Sequence, residues 1–363
     1  MDDQGYFHTF PAVQGTQAGR HFFIAMCPLR IIPRLFVFDE EEVPPELRAQ
    51  RTLNRARVPE IAQYLVGNPT SYVMSALTVS VNSQVKFTPV GTSTQASLGF
   101  MQIPMDAQIL INDGQHRRAA IEEAIKESPE LGQENVPVLF FIDEGLDRSQ
   151  QMFADLNKYA VRPSYSLSTL YDHRDPGSDL ARYLAAACPA FKGLVEMEKS
   201  TISNRSTKLF TLSGIKHASR ALLKKSLREA VSDEEKMLAK EYWDAVAENI
   251  GDWARARAKQ VSTAELRQDY VHAHGVVLHA LGLAGAALLQ QYPKNWRAQL
   301  KSLRKIDWSR ANVVDWEGRA LLHGRVSKAS TNVHLTANFL KLVVGAELSE
   351  DDKRIEAMRT NRS

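Results

Sequence analysis

Cysteine is scarce: the chain of 363 residues has two, Cys27 and Cys188, far apart and without CxxC or CxxxH company. A disulfide framework is excluded, a structural zinc site loses its ligands, and a reducing cytoplasm is the expected setting. Long apolar runs are missing too. The longest, over 276–289, has 14 residues and contains His279, short of the roughly 20 that a membrane span requires. The opening MDDQGYFHTF is acidic where a signal peptide needs basic residues, so neither secretion nor a membrane partner is expected. No excess of one charge exists either, since 45 Lys and Arg face 42 Asp and Glu for a formal net charge of +3. Any nucleic-acid surface must come from segregation of charge along the chain. GxxxxGK[ST], GxGxxG and HExxH do not occur, and the usual ATPase and zinc-protease readings fall with them. Internal repeats and a helix-turn-helix signature are also lacking, so no operator or half-site spacing can be read.

What remains is an ordinary globular composition, 44% hydrophobic and 24% charged, in a chain long enough for two domains with a core each. The first half alternates strand and helix signals and the second is helical in period. The expected class is α+β with a mostly helical C-terminal part, divided near Pro163 into domains over 1–163 and 164–363. Strands are expected over 21–26 and 31–38, and helices over 47–54 and 58–66, the second with Pro59 in its first turn. Strands over 77–81 and 84–88 flank Asn82-Ser83 as a hairpin, and 91–99 reads as a polar loop. A buried strand over 136–142 and a helix over 147–160 follow. Beyond Pro163, Ser232 with Glu235 and Ser262 with Glu265 match the capping box. The apolar stretch over 271–289 reads as a central helix in which Gly275, Gly282 and Gly285 admit close neighbours.

The most informative stretch is Asp113-Gly114-Gln115-His116-Arg117, an apolar strand meeting a tight turn and then a helix with Ala120, Ile121, Ala124 and Ile125 facing inward. The first N–H groups of such a helix lack partners and its dipole is positive there, so a phosphate is drawn in. Gly114 permits close backbone approach. In this reading Arg117 and Arg118 pair with phosphate oxygens and Gln115 and His116 donate or shuttle protons. Asp113 orients the loop or a metal, Asn157 forms the opposite wall, and Arg51, Asn54 and Arg55 close the rim. The plain alternative is that Asp113 only makes the turn and caps the helix while Arg117 and Arg118 pair with Glu122 or other acids.

These five residues resemble the motif of the DGQHR-domain family, a branch of the ParB/sulfiredoxin-like superfamily. The surroundings are similar in order: RVPEIAQYL at 57–65, a strand at 77–81, the motif, a strand at 136–142, and FADLN at 153–157. Through FADLNKYAVRPS at 153–164 the resemblance extends into the helical half, toward the DGQHR proteins of DNA phosphorothioation. It implies a ParB/sulfiredoxin-like N-terminal domain, double-stranded DNA from the promoter region of modification genes as partner, and transcriptional control of those genes. Other DNA sulfur modification proteins are further partners it implies. Superfamily relatives bind or hydrolyse nucleotides at the motif. The resemblance thus also implies ATP or another nucleotide with Mg as a candidate ligand, with Asp113, His116 and Arg117 as candidate catalytic residues. No nucleophile and base pair is visible in the sequence itself, and homo-oligomerisation is left open. Cys27 lies far upstream of the motif, where the redox relatives carry their cysteine within it, so sulfiredoxin-like chemistry is not expected.

Charge segregation does occur. Residues 199–228 hold Lys199, Arg205, Lys208, Lys216, Arg220, Lys224, Lys225 and Arg228 with no acid, interleaved with Ser200, Thr201, Ser203, Asn204, Ser206 and Thr207. Such small donors suit phosphate contacts that position a duplex. Residues 294–310 repeat the theme with Lys294, Arg297, Lys301, Arg304, Lys305 and Arg310 beside Trp296 and Trp308, and the tryptophans could stack on bases or simply pack in a core. A solvated basic face, with its acids supplied from elsewhere in the fold, is the plain alternative for both segments. His272, His274 and His279 fall on different faces of a helix and read as core histidines, not metal ligands.

Overall fold

The computed structural model describes residues 6–36, 55–91, 97–143, 148, 151–152, 155–156, 163–203 and 205–360. The chain divides into two compact units, Met1–Val161 and Arg162–Ser363.

The first unit is built on a mixed seven-stranded sheet. Its strands are β1 (Phe7–Gln17), β2 (Arg20–Pro28), β3 (Leu77–Val81), β4 (Lys86–Pro89), β5 (Leu98–Pro104), β6 (Ile109–Asp113) and β7 (Asn135–Ile142), in the order β4-β5-β1-β2-β7-β3-β6. Gln17 pairs with Arg20 across a two-residue turn. Ala18 and Gly19 both hold positive φ there, the turn whose twist matches that of the strands. Alternation sets the faces: Phe10 and Ala12, Phe23, Ala25 and Cys27, Met101 and Ile103, and Val136, Val138 and Phe140 point into one core. On the other face Val13, Ile24, Met26, Leu98 and Phe100 are exposed. Helices α1 (Val58–Gly67) and α2 (Gln115–Glu127) add Val58, Ala62, Leu65, Ala120, Ile121 and Ala124 to the core.

Two expectations for this unit are corrected. Residues 31–35 are not a strand: Leu29–Ile31 form a 3-10 turn and Ile32–Leu35 a helical turn with Pro33 in its opening positions, where proline's missing donor costs nothing. Nor do β3 and β4 form a hairpin. Every residue of β3 is buried, and it lies between β7, which it pairs in parallel, and β6, while β4 pairs with β5 at the opposite edge. Asn82 ends β3 by bonding Gln108, its N–H donating to the Gln108 carbonyl and its Oδ1 accepting from the Gln108 N–H. That ties the chain to the approach of β6. The helix expected over 47–54 lies outside the described residues, as does most of that over 147–160.

The second unit is mostly helical: α3 (Tyr165–Tyr171), α4 (Pro176–Ala187), α5 (Leu212–Leu223), α6 (Asp233–Asn249), α7 (Gly251–Arg257), α8 (Thr263–Asp269), α9 (Gly275–Gln291), α10 (Ser330–Val343) and α11 (Glu350–Thr360). The Ser232 capping box forms with both bonds. At Ser262 the hydroxyl instead accepts from Ala264, one residue short of the box. The central apolar helix starts at Gly275, after a separate 3-10 turn at Val271–Ala273. Gly282 and Gly285 do admit neighbours: a Cβ at Gly282 would lie 2.1 Å from the Ala218 carbonyl oxygen of α5, and one at Gly285 2.4 Å from the Tyr242 ring of α6. Gly275 faces open space. Trp296 and Trp308 are core residues, Trp308 stacking on Trp316 at 5.4 Å, so they are not presented to nucleic-acid bases.

Candidate functional site

The strand that ends in the motif is fixed from below. Asn112 is fully buried and its Nδ2 donates to Ser80 Oγ of β3 at 2.7 Å. The register of β3 against β6 slips between Thr78 and Val79, beside the motif's first residue, Asp113. Irregularities of this kind re-aim side chains at strand ends. Gly114 then turns the chain with φ of +113°. A Cβ there would lie 2.4 Å from Leu77 Cδ2, so only glycine fits both the conformation and the space.

Gln115, His116, Arg117 and Arg118 open α2, all half-buried. Gly114 is the N-cap and offers no side chain, so no side-chain bond caps the helix. Its first N–H groups remain the anion-attracting end of the element. Both arginines have protein partners. Arg117 Nη2 donates to Asp113 Oδ2 at 2.6 Å, and Nη1 donates to the carbonyls of Ser75 and Ala76, each at 2.9 Å, and to Ser75 Oγ. Arg118 donates to Glu122 at 2.9 Å and to the Pro33 carbonyl at 2.6 Å, while its buried Nε has no partner. Asp113 therefore orients Arg117 across one helical turn, and Arg117 ties the motif to the chain entering β3. Burial holds the His116 imidazole below its ordinary pKa, with Arg57 and Arg117 adding to the effect against Asp113. The ring is neutral at pH 7 and can bond in either sense. The sequence reading did not single out Arg57 for this role. Its signal was the RVPEIAQYL segment, whose first residue is this arginine. Asn157, Arg51 and Asn54 lie outside the described residues, and Arg55 is exposed in a 3-10 turn.

The basic residues of the second unit differ in what they meet. Arg205, Lys224, Lys301, Arg304 and Lys305 are exposed. Lys224 reaches Gln290 at 2.5 Å, and Arg304 bonds Asn249 at 2.7 Å. Lys208 donates to the Gly193 carbonyl, and Arg220 to the Lys225 carbonyl. Lys216 instead pairs with Asp175 at 2.6 Å, and Lys225 with Glu229 and Glu235. The segment without acids thus receives them from elsewhere at Lys216 and Lys225, whereas Arg205 and Lys224 stand exposed. His272 is buried, accepts from Trp253 Nε1 and faces Asp252, His274 precedes α9 with its ring bonded to the Arg267 carbonyl, and His279 lies within α9 near His217. Cys27 is fully buried and its thiol is pushed up to about 12 by burial, which leaves it inert as a nucleophile.

Fold and site together define a two-unit α+β protein: a sheet unit with an arginine-bonded strand-turn-helix junction, and a helical unit with exposed cations. The family model for DndB, described as DNA-sulfur modification-associated, matches residues 10–347, and the chain belongs to that family. No curated protein and no solved structure matches it.

Proposed function

We propose that this protein binds double-stranded DNA in the promoter region of DNA sulfur modification genes and regulates their transcription. The observation that supports this reading best is the set of exposed cations on the helical unit, Arg205, Lys224, Lys301, Arg304 and Lys305. They belong to a chain whose family is associated with DNA sulfur modification. Exposed Lys and Arg without acidic partners displace counterions from a duplex, and Ser and Thr neighbours add neutral phosphate contacts. In this reading the N-terminal domain, over 1–163, is ParB/sulfiredoxin-like, and the domain over 164–363 carries the DNA surface. Lys216 and Lys225, which hold acids, act by fixing α5 and contribute little to DNA binding.

The DGQHR junction serves this reading as a phosphate or nucleotide pocket built on the start of α2, with Gln115 and His116 half-buried in its first turn. Hydrolysis of ATP or another nucleotide with Mg at Asp113, His116 and Arg117 has less support, because Asp113 and Arg117 already bond each other. A double variant, Lys301→Ala with Lys305→Ala, tests the division. Both side chains are exposed, so the fold is expected to persist while affinity for promoter DNA falls about tenfold or more. Unchanged DNA affinity in that variant, together with nucleotide turnover that His116→Ala abolishes, would replace the regulator with an enzyme.

A further inference from the structure

The helical unit holds an open cavity of about 540 Å³ whose charged lining residues are Arg267, Arg310 and Lys328. Among the described residues no acid lines it, and no carboxylate lies within ion-pair distance of Arg310 or Lys328. Arg310 is held in place by backbone oxygens, donating to the Gln268 carbonyl at 3.0 Å and the Gly324 carbonyl at 2.9 Å. Arg267, buried, donates to the carbonyls of Ser203, Ser206 and Lys208. Carbonyls orient a guanidinium without cancelling its charge, so the cavity keeps a positive potential. Burial above all holds the His274 imidazole down to about 4, with Arg310, Lys328 and Arg267 adding to the effect against its bond to the Arg267 carbonyl.

The cavity also receives the start of α9, a helix of 17 residues with no side-chain cap. Gly275 in its first turn has open space where a side chain would stand. Ser200, on the wall, has a buried Oγ with no hydrogen-bond partner. A buried hydroxyl left alone is costly and marks a place where a ligand or water belongs. Ile202 and Ala264, both part-exposed, supply an apolar wall. The volume falls in the small-ligand range of roughly 300–1,000 Å³, larger than inorganic phosphate needs.

We propose that this cavity binds a phosphate monoester of mononucleotide size, its phosphate held by Arg310, Lys328 and the start of α9 and its nucleoside lying against Ile202 and Ala264. The site shares no residue with the DGQHR junction and does not depend on the DNA-binding reading. Isothermal titration calorimetry of the full chain without divalent ions or DNA tests it, using AMP, GMP, CMP, UMP, the free nucleosides and inorganic phosphate. At least one monophosphate is expected to bind with submillimolar affinity, and its nucleoside at least about tenfold more weakly. Lys328→Glu, at an exposed side chain, is expected to weaken binding about tenfold or more with an unchanged melting temperature, and Arg310→Gln to act in the same direction. No binding by any monophosphate overturns the proposal, as does binding equal to that of the nucleoside. Loss of nucleotide binding in His116→Ala with none in Lys328→Glu would move the site to the junction. A short duplex that binds through Lys328 while no mononucleotide does would assign these cations to DNA phosphates and also overturn it.

Discussion

Gly114 carries the most exacting demand on a single residue. Its φ of +113° and the 2.4 Å gap to Leu77 Cδ2 leave no place for a methyl group. Gly114→Ala is expected to destabilise the sheet unit by about 2 kcal/mol or more, read as a lower urea midpoint, and an unchanged midpoint would show that the turn is slack. Histidines set the response to acid. His274 and His279 are each held down to about 4 from an ordinary 6.5, chiefly by burial, with Arg310, Lys328 and Arg267 around the first and His217 and His334 around the second. Between those two pH values the unfolded chain binds protons that the native one does not, so stability is full above pH 6.5 and falls as pH drops toward 4. His279→Gln should flatten that decline in a series of thermal melts, and a slope equal to the parent's would remove this histidine from the account.

Elements show where packing decides the outcome. Gly282 places α9 against the backbone of α5, with the Ala218 carbonyl oxygen 2.1 Å from where a Cβ would be. Gly282→Ala must push the helices apart and is expected to cost about 1–3 kcal/mol or more, whereas Ser232→Ala, which removes the cap of α6, costs about 1 kcal/mol. Denaturant unfolding of both variants ranks them, and the reverse order would contradict the close approach. The same elements show what was legible beforehand. α1, α2, α9 and β7 follow from apolar period and from Pro59 and Gly114, all local signals. β3 and β4 misled because each alternates as a strand should, while the partner of each is set by distant residues: β3 is buried on both faces and needed the centre of the sheet. Asp113, Gly114 and Arg117 could be picked out because their spacing is local. The Ser75, Ala76 and Pro33 carbonyls that hold the arginines could not, since any residue supplies a carbonyl. The cavity beside α9 is of that second kind, drawing Ser200, Arg267, Arg310 and Lys328 from four separate stretches.

At the scale of the molecule, a formal charge of +3 conceals a helical unit on which cations stand free at some places and are neutralised at others. The central claim, that this surface takes hold of duplex DNA, is tested most directly by the dependence of affinity on salt. Fluorescence anisotropy with the chain's own upstream DNA and an unrelated duplex, over a salt series without nucleotide, should give log K falling with log salt at a slope of about −5, as for roughly six neutralised phosphates. Tighter binding to the upstream DNA is expected at every salt concentration. A flat salt dependence, or equal affinity for both duplexes, would contradict the account.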